Sequence, residues 1–224
     1  MVAKEEKVWI GFDLGGTKML TVAYDENWKE KGRRRRKTRG REGSDSGVER
    51  IGSTIQRLLD ESEIEPKQIA GIGIGCPGPI DLKNRRILMT PNLGWDDVEV
   101  GKYLEKRFGC AVAVVNDVDA GVFGEYRFGA AKDSRCAIGI FPGTGVGGGC
   151  VYEGRILQGA DISCMEVGHT RISSSTRASG YKLPGTVEAE ASRLTIAAEA
   201  AKAAFRGDAP HLAKKTGTDL ADIR

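Results

Sequence analysis

Apolar residues fall along this chain in short strand-like runs separated by glycine and charge, and in longer stretches at helical spacing. Val8–Leu14 (VWIGFDL) is rich in β-branched and aromatic residues and stops at Gly15-Gly16, which predicts a strand. Met19–Tyr24 predicts a second strand, closed by a turn at Asp25-Glu26-Asn27. The basic stretch that follows predicts a third, exposed strand. Ser44–Ile64 carries Val48, Ile51, Ile55, Leu58 and Leu59 at helical spacing behind the capping residues of SDSG. Ile69–Ile74 predicts a buried strand entering a rigid turn at Cys76-Pro77-Gly78-Pro79. A small hairpin over Ile80–Met89 follows, then a helix over Val98–Phe108 capped by Asp96 or Asp97, then a buried strand Ala111–Val115 ending at Asn116-Asp117.

Beyond this point the pattern restarts. Asp119–Gly129 predicts a helix, Cys136–Phe141 a strand, Gly143–Gly149 a glycine loop and Gly149–Tyr152 another strand. Strand, glycine loop, strand therefore occurs twice, at Val8–Tyr24 and at Cys136–Tyr152. This is the mark of an internal duplication with its boundary near residues 115–120, giving halves 1–116 and 117–224. Glu188–Phe205 is alanine-rich and predicts a helix, and Thr218–Arg224 reads as the first turn of another.

Composition changes this picture little. With 40% hydrophobic and 29% charged residues, the 224-residue chain has enough material for a globular core. No apolar run approaches the ~18 residues of a membrane span, and the first residues lack the apolar stretch of a signal peptide. The five scattered cysteines suit free thiols in a reducing compartment, so a cytoplasmic protein with no membrane partner is expected. Charge is more informative. Lys29–Arg41 holds nine basic residues and one acid, a local +8 that leaves the remainder at −5, so the net +3 does not argue for a nucleic-acid partner.

Five motifs bear chemistry. In Asp13-Leu14-Gly15-Gly16-Thr17-Lys18, two glycines between strands let backbone N–H groups converge on an anion; Thr17 adds a hydroxyl, Lys18 a charge, and Asp13 a ligand for Mg²⁺ through water. A plain hairpin turn is the alternative. The motif is not a Walker loop, because Thr-Lys stands in the wrong order and a strand follows where a helix is required. Gly143-Thr144-Gly145-Val146-Gly147-Gly148-Gly149 satisfies the dinucleotide fingerprint, but a strand follows it too, so a second phosphate-cradling hairpin is the better reading. Asn116-Asp117 ends a strand, where α/β sheets present side chains to ligands; a helix cap is the competing role. Glu166-Val167-Gly168-His169 and Glu188 place acids and an imidazole near glycines, suited to paired sugar hydroxyls; alone, His169 would be structural.

Asp13-x-Gly-Gly-Thr, Asn116-Asp117, Gly-Thr-Gly-x-Gly-Gly-Gly and Glu-x-Gly-His, in that order, resemble the ROK family of sugar kinases and repressors, with GCPGPID, PNLGW and NDVDAGVFGEYRFGA as further similar segments. The resemblance implies an α/β fold of the ribonuclease H-like, actin-like type, two duplicated lobes with mixed sheets. It implies a glucokinase-like transferase of carbohydrate metabolism (glycolysis) that uses ATP and Mg²⁺ to phosphorylate the 6-hydroxyl of a hexose. Asp117 would be the catalytic base. Gly78, Asn116, Asp117, Glu166, His169 and Glu188 would bind the sugar. Asp13, Gly15, Gly16, Thr17 and Lys18, with Gly143, Thr144, Gly145, Gly147 and Gly148, would grip the nucleotide phosphates from opposite lobes across a cleft.

Two departures qualify the match. Many members follow Glu-x-Gly-His with a zinc knuckle, C-x-C-G-x-x-G-C-x-E. Here Ser179, Tyr181 and Thr186 hold the cysteine positions, and one imidazole cannot hold a structural zinc, so no zinc is expected and His169 would serve the sugar on a loop ordered by other means. Members also continue with further helices and a glycine-rich adenosine motif, which nothing after Thr186 resembles. A truncated second lobe with exposed apolar surface is expected, covered in part by a homodimer or other homo-oligomer. Polyphosphate as donor, attracted by Arg33–Arg41, and a non-catalytic sugar-binding protein are the alternatives. The repressor branch carries a DNA-binding domain ahead of the first motif, for which the twelve residues before Asp13 leave no room.

Overall fold

The computed structural model of the protein describes residues 6–90, 92–160, 164–180 and 182–216. By contact the chain forms two compact units. One runs through Ala137 and takes in Val151–Cys164; the other takes Ile138–Cys150 and the chain from Met165 onward.

The first unit is built on a mixed five-stranded sheet. Strands β1 (Val8–Leu14), β2 (Lys18–Tyr24) and β3 (Glu30–Lys37) form an antiparallel meander, and β4 (Ile69–Cys76) pairs parallel with β1. A second sheet holds β5 (Ile80–Asp81), β6 (Arg86–Thr90) and β7 (Trp95–Val98). After it comes β8 (Ala111–Asn116), parallel to β4, which completes the order β3-β2-β1-β4-β8. Period-two alternation buries Val8, Ile10, Phe12 and Leu14 of β1 on one face. Helix α1 (Ser44–Glu61) presents Val48, Ile51, Ile55, Leu58 and Leu59 to this core, and α2 (Val100–Phe108) adds Val100 and Leu104. Burying each such side chain is worth about 1.5–3 kcal/mol. The predicted hairpin is there, with the Asp81 carboxylate turning the chain by accepting from the Asn84 backbone N–H (2.9 Å) and amide (2.7 Å).

Several boundaries differ from the sequence reading. The N-cap of α1 is Gly43, with no side-chain capping bond, so the residues of SDSG lie inside the helix. Asp96 and Asp97 sit in β7 and do not cap α2, whose N-cap is Glu99. Helix α3 (Asp117–Phe128) begins two residues early because Asn116 caps it. That helix, placed in the second half by the duplication, packs on β4 and β8 in the first unit. Gly75 makes room for it: a Cβ there would lie 3.3 Å from the Asp117 Cα. Val122 of α3 joins Ala137 and Val151 in a small core.

Strands β9 (Cys136–Pro142), β10 (Val146–Tyr152) and β11 (Arg155–Ile156) form the third sheet, with β10 central. The glycine loop is therefore only Gly143-Thr144-Gly145, and Gly147, Gly148 and Gly149 are strand residues. In the second unit the predicted helix over Glu188–Phe205 is two: α4 (Val187–Ala191) and α5 (Arg193–Arg206). Ser192 separates them as the N-cap of α5, its hydroxyl accepting from the Thr195 N–H. Helix α6 (Pro210–Thr216) follows, and the predicted turn at Thr218–Arg224 lies outside the described residues. Ile138, Ile140, Leu194 and Phe205 of this unit are exposed.

Candidate active site

In the first unit the parallel strands β1, β4 and β8 run the same way, so their carboxyl ends share one sheet edge. At that edge the register aligns Asp13 with Gly75, Gly75 with Val115, and Cys76 with Asn116. Loops at such an edge are where α/β sheets hold ligands. Here they are the Gly15–Thr17 hairpin, the Pro77–Pro79 turn and the start of α3.

Each loop is fixed by backbone chemistry. Gly15 tolerates no side chain, since a Cβ would lie 2.6 Å from the Lys18 carbonyl oxygen. Thr38, fully buried, donates its hydroxyl to the Gly15 carbonyl (2.6 Å), and its N–H donates to the Thr17 carbonyl (2.9 Å). The sequence reading missed Thr38. Its signal was the β3 register, which sets Lys37 opposite Lys18 and so brings the next residue beside the hairpin. Gly78 has a positive φ of 87° and lies against the Met89 carbonyl, where a Cβ would come within 2.2 Å. The Asn116 amide donates to the Gly78 carbonyl (3.2 Å), while its Oδ1 accepts from the N–H groups of Val118 (2.9 Å) and Asp119 (3.3 Å). The cap is thus Asn116, which leaves Asp117 as the first helical residue.

Asp117 is half-buried, and one carboxylate oxygen accepts the Val118 N–H at 3.0 Å. Burial, above all, pushes its pKa up to about 6, and the negative charges of Asp13 and Asp119 act in the same direction. The Val118 hydrogen bond opposes the rise without cancelling it. The Asp13 carboxyl is also raised by burial, against the pull of Arg35 on β3. Thr17 and Lys18 are exposed. A cavity beside Asp81–Asn84 and Gln158–Ala160 is lined by none of the predicted site residues.

In the second unit the glycine hairpin and the predicted sugar residues pack together. Gly143 N–H donates to the Gly145 carbonyl (2.7 Å), closing a tight turn whose Gly143 carbonyl accepts the Arg193 N–H (3.0 Å). Buried Glu188, in the first turn of α4, accepts the Val146 N–H at 3.2 Å, and a Cβ on Gly145 would lie 2.1 Å from its carboxylate. Gly148 and Gly168 provide close approach between β10 and the 3-10 turn Val167–His169: a Cβ on Gly168 would meet the Val146 carbonyl at 1.9 Å. Glu166 is exposed, His169 half-buried and Thr144 exposed.

Two metals are tested by these donors. Mg²⁺ keeps most of its waters and draws other ligands from phosphates, so the single carboxylate of Asp13 suits a water-mediated contact. Zinc does not fit. Thr186 spends its hydroxyl as the N-cap of α4, Ser179 offers only another hydroxyl, Tyr181 lies outside the described residues, and among the described residues no group of three His, Cys, Asp or Glu could hold a metal.

Comparison with known proteins agrees with the geometry. The model of the ROK family matches residues 9–222. A glucokinase from Thermotoga maritima is 34% identical over 188 residues, 84% of this chain and 58% of that protein. A putative xylose repressor from Caldicellulosiruptor is 34% identical over 125 residues, 56% of this chain and 31% of that protein. The solved structure of a ROK family glucokinase from Streptomyces griseus, in complex with glucose and AMPPNP, superposes with a TM-score of 0.77 at 27% identity, covering 97% of this chain and 68% of that one. The chain thus spans roughly three fifths of that Thermotoga glucokinase's length. Ordered motifs, a mixed sheet of the actin- and hexokinase-like type and the family match together establish that this chain belongs to the ROK family.

Proposed function

We propose that the protein is a glucokinase-type hexose kinase that moves the γ-phosphate of ATP to the 6-hydroxyl of glucose. The observation that carries this reading is Asp117: a half-buried carboxylate at the carboxyl edge of β1, β4 and β8, with its pKa pushed up to about 6. A sugar hydroxyl is a poor nucleophile until its proton has an acceptor. Asp117 takes that proton as the hydroxyl oxygen bonds to the γ-phosphorus. The bond from that phosphorus to the bridging oxygen breaks, and ADP leaves with the electron pair. A positioned base contributes roughly 10²–10⁴ in rate, and a pKa near 6 keeps it ionised at neutral pH without making it too weak. Asn116 and Gly78 hold sugar hydroxyls, as do Glu166, His169 and Glu188. The hairpins Gly15–Lys18 and Gly143–Gly148 receive the phosphates through backbone N–H groups, and Asp13 is the residue that would hold Mg²⁺ through water. When bound, that ion neutralises phosphate charge.

The test is formation of glucose 6-phosphate from glucose and ATP, with calorimetry of glucose binding alongside. Asp117→Asn should abolish turnover and leave glucose binding largely intact. Comparable turnover in the mutant would remove Asp117 as base. Absence of hexose phosphorylation by the wild type would favour the non-catalytic reading, to which the xylose-repressor relative lends support.

Polyphosphate is a weaker alternative donor. Three of the four consecutive arginines of β3 have partners within the unit: Arg33 with Glu30, Arg34 with Glu61 and Arg36 with the Ser53 hydroxyl. Charge on an edge strand blunts edge-to-edge pairing, which accounts for the rest. Polyphosphate-dependent rates that fall steeply with salt, and lose that dependence on replacing Arg33–Arg36 with alanine, would reverse the preference.

A further inference from the structure

The segment between His169 and Glu188 joins two of the proposed sugar ligands. Among its described residues from Arg171 to Pro184 no side chain is buried, and both Ile172 and Leu183 are exposed. Its backbone is folded on itself. The Ile172 and Ser173 N–H groups donate to the Gly185 carbonyl (2.8 and 3.1 Å), Gly185 N–H donates to the Arg177 carbonyl (3.0 Å), and Val187 N–H donates to Thr170 (3.0 Å).

Arg177 ties this fold to both following helices. Its guanidinium donates to Glu190 of α4 at 3.2 Å and to Glu199 of α5 at 2.5 Å. The other Glu190 oxygen accepts the Ser173 hydroxyl at 3.1 Å. One cation thus bridges two carboxylates on either side of the Ser192 break, and Glu190 lies two residues from Glu188. The planar, multi-donor guanidinium can serve two acceptors in fixed geometry, which a lysine ammonium does less well. A lone exposed ion pair would contribute little, but this one is part of a shared network in a segment whose described residues bury no apolar side chain.

We propose that Arg177 is a positioning residue: its clamp on Glu190 and Glu199 orders residues 170–186 and so holds His169 and Glu188 in place for the sugar. This rests on the reading of those two residues as sugar ligands. It also explains how the loop is ordered where the residues present do not suit a zinc ion.

Hydrogen exchange and glucose calorimetry on Arg177→Ala, Arg177→Lys and Glu188→Gln test it. Arg177→Ala should speed exchange at the Ile172, Ser173 and Gly185 amides about tenfold, and raise both the Kd and the KM for glucose about tenfold, with much less effect on kcat. Arg177→Lys should fall between Arg177→Ala and wild type. Added salt should weaken glucose binding by the wild type more than by Arg177→Ala. Wild-type exchange or wild-type glucose affinity in Arg177→Ala overturns the clamp. Glu188→Gln binding glucose as the wild type does overturns the sugar reading beneath it, whatever the exchange shows, and the proposal falls with it.

Discussion

Replacing Asp117 by asparagine should stabilise the protein while inactivating it. The carboxyl has an ordinary pKa of 3.8 and stands at about 6 in the folded chain. Two units or so of upward shift correspond to about 3 kcal/mol between the protonated and ionised forms. The sign follows from proton counting. Between pH 3.8 and about 6 the folded state holds a proton that the unfolded state has released, so stability falls as pH rises through that window. Above it, the folded chain carries the full cost of a poorly solvated carboxylate. Asparagine removes the charge and keeps an oxygen for the Val118 N–H. Some solvent reaches the group, so the expected gain is about 2–3 kcal/mol at pH 8, shrinking toward zero below pH 4. Urea unfolding of wild type and mutant across this range reads it as a shift in midpoint. Equal or lower stability of the mutant at pH 8, or a gain independent of pH, would refute the reasoning about burial.

Other consequences concern the loops around the two hairpins. Thr38→Val leaves the Gly15 carbonyl without its 2.6 Å donor and should cost about 1–3 kcal/mol while raising the KM for ATP, measured by unfolding and steady-state kinetics. Asn116→Ala removes the cap of α3 and the tie to Gly78. A loss of about 0.5–2 kcal/mol is expected, together with weaker glucose binding by calorimetry. Gly168→Ala drives a methyl into the Val146 carbonyl and should destabilise the second unit by about 1–3 kcal/mol, seen as faster hydrogen exchange in β10.

Much of this arrangement is legible in the residue pattern. In the first sheet β1 declares itself by a β-branched and aromatic run that stops at glycine, β2, β4 and β8 by apolar runs that end in turn residues or at Asn116-Asp117, and α1 by five apolar residues on one face. The two hairpins follow from glycines flanked tightly by strands. What escaped has identifiable causes. Helix propensity runs unbroken through Glu188–Phe205, and only the Ser192 hydroxyl, folded back on Thr195, reveals the break. Asp96 and Asp97 look like caps in isolation, yet cross-strand pairing of Met89 with Asp96 and Ile87 with Val98 claims that stretch for a sheet. Thr38 acts through a pairing register, and Arg177 through carboxylates 13 and 22 residues away; periodicity encodes neither. The motifs read Glu188 as a sugar ligand and Gly145 as a phosphate ligand, and the fold sets them against each other.

The dependence of kcat/KM for glucose on pH bears most directly on the role of Asp117. The account predicts an acid limb of unit slope centred near pH 6, moving to lower pH in Asp13→Asn, because the Asp13 charge helps raise Asp117. A rate that stays flat down to pH 4, or a limb unmoved by Asp13→Asn, would contradict it.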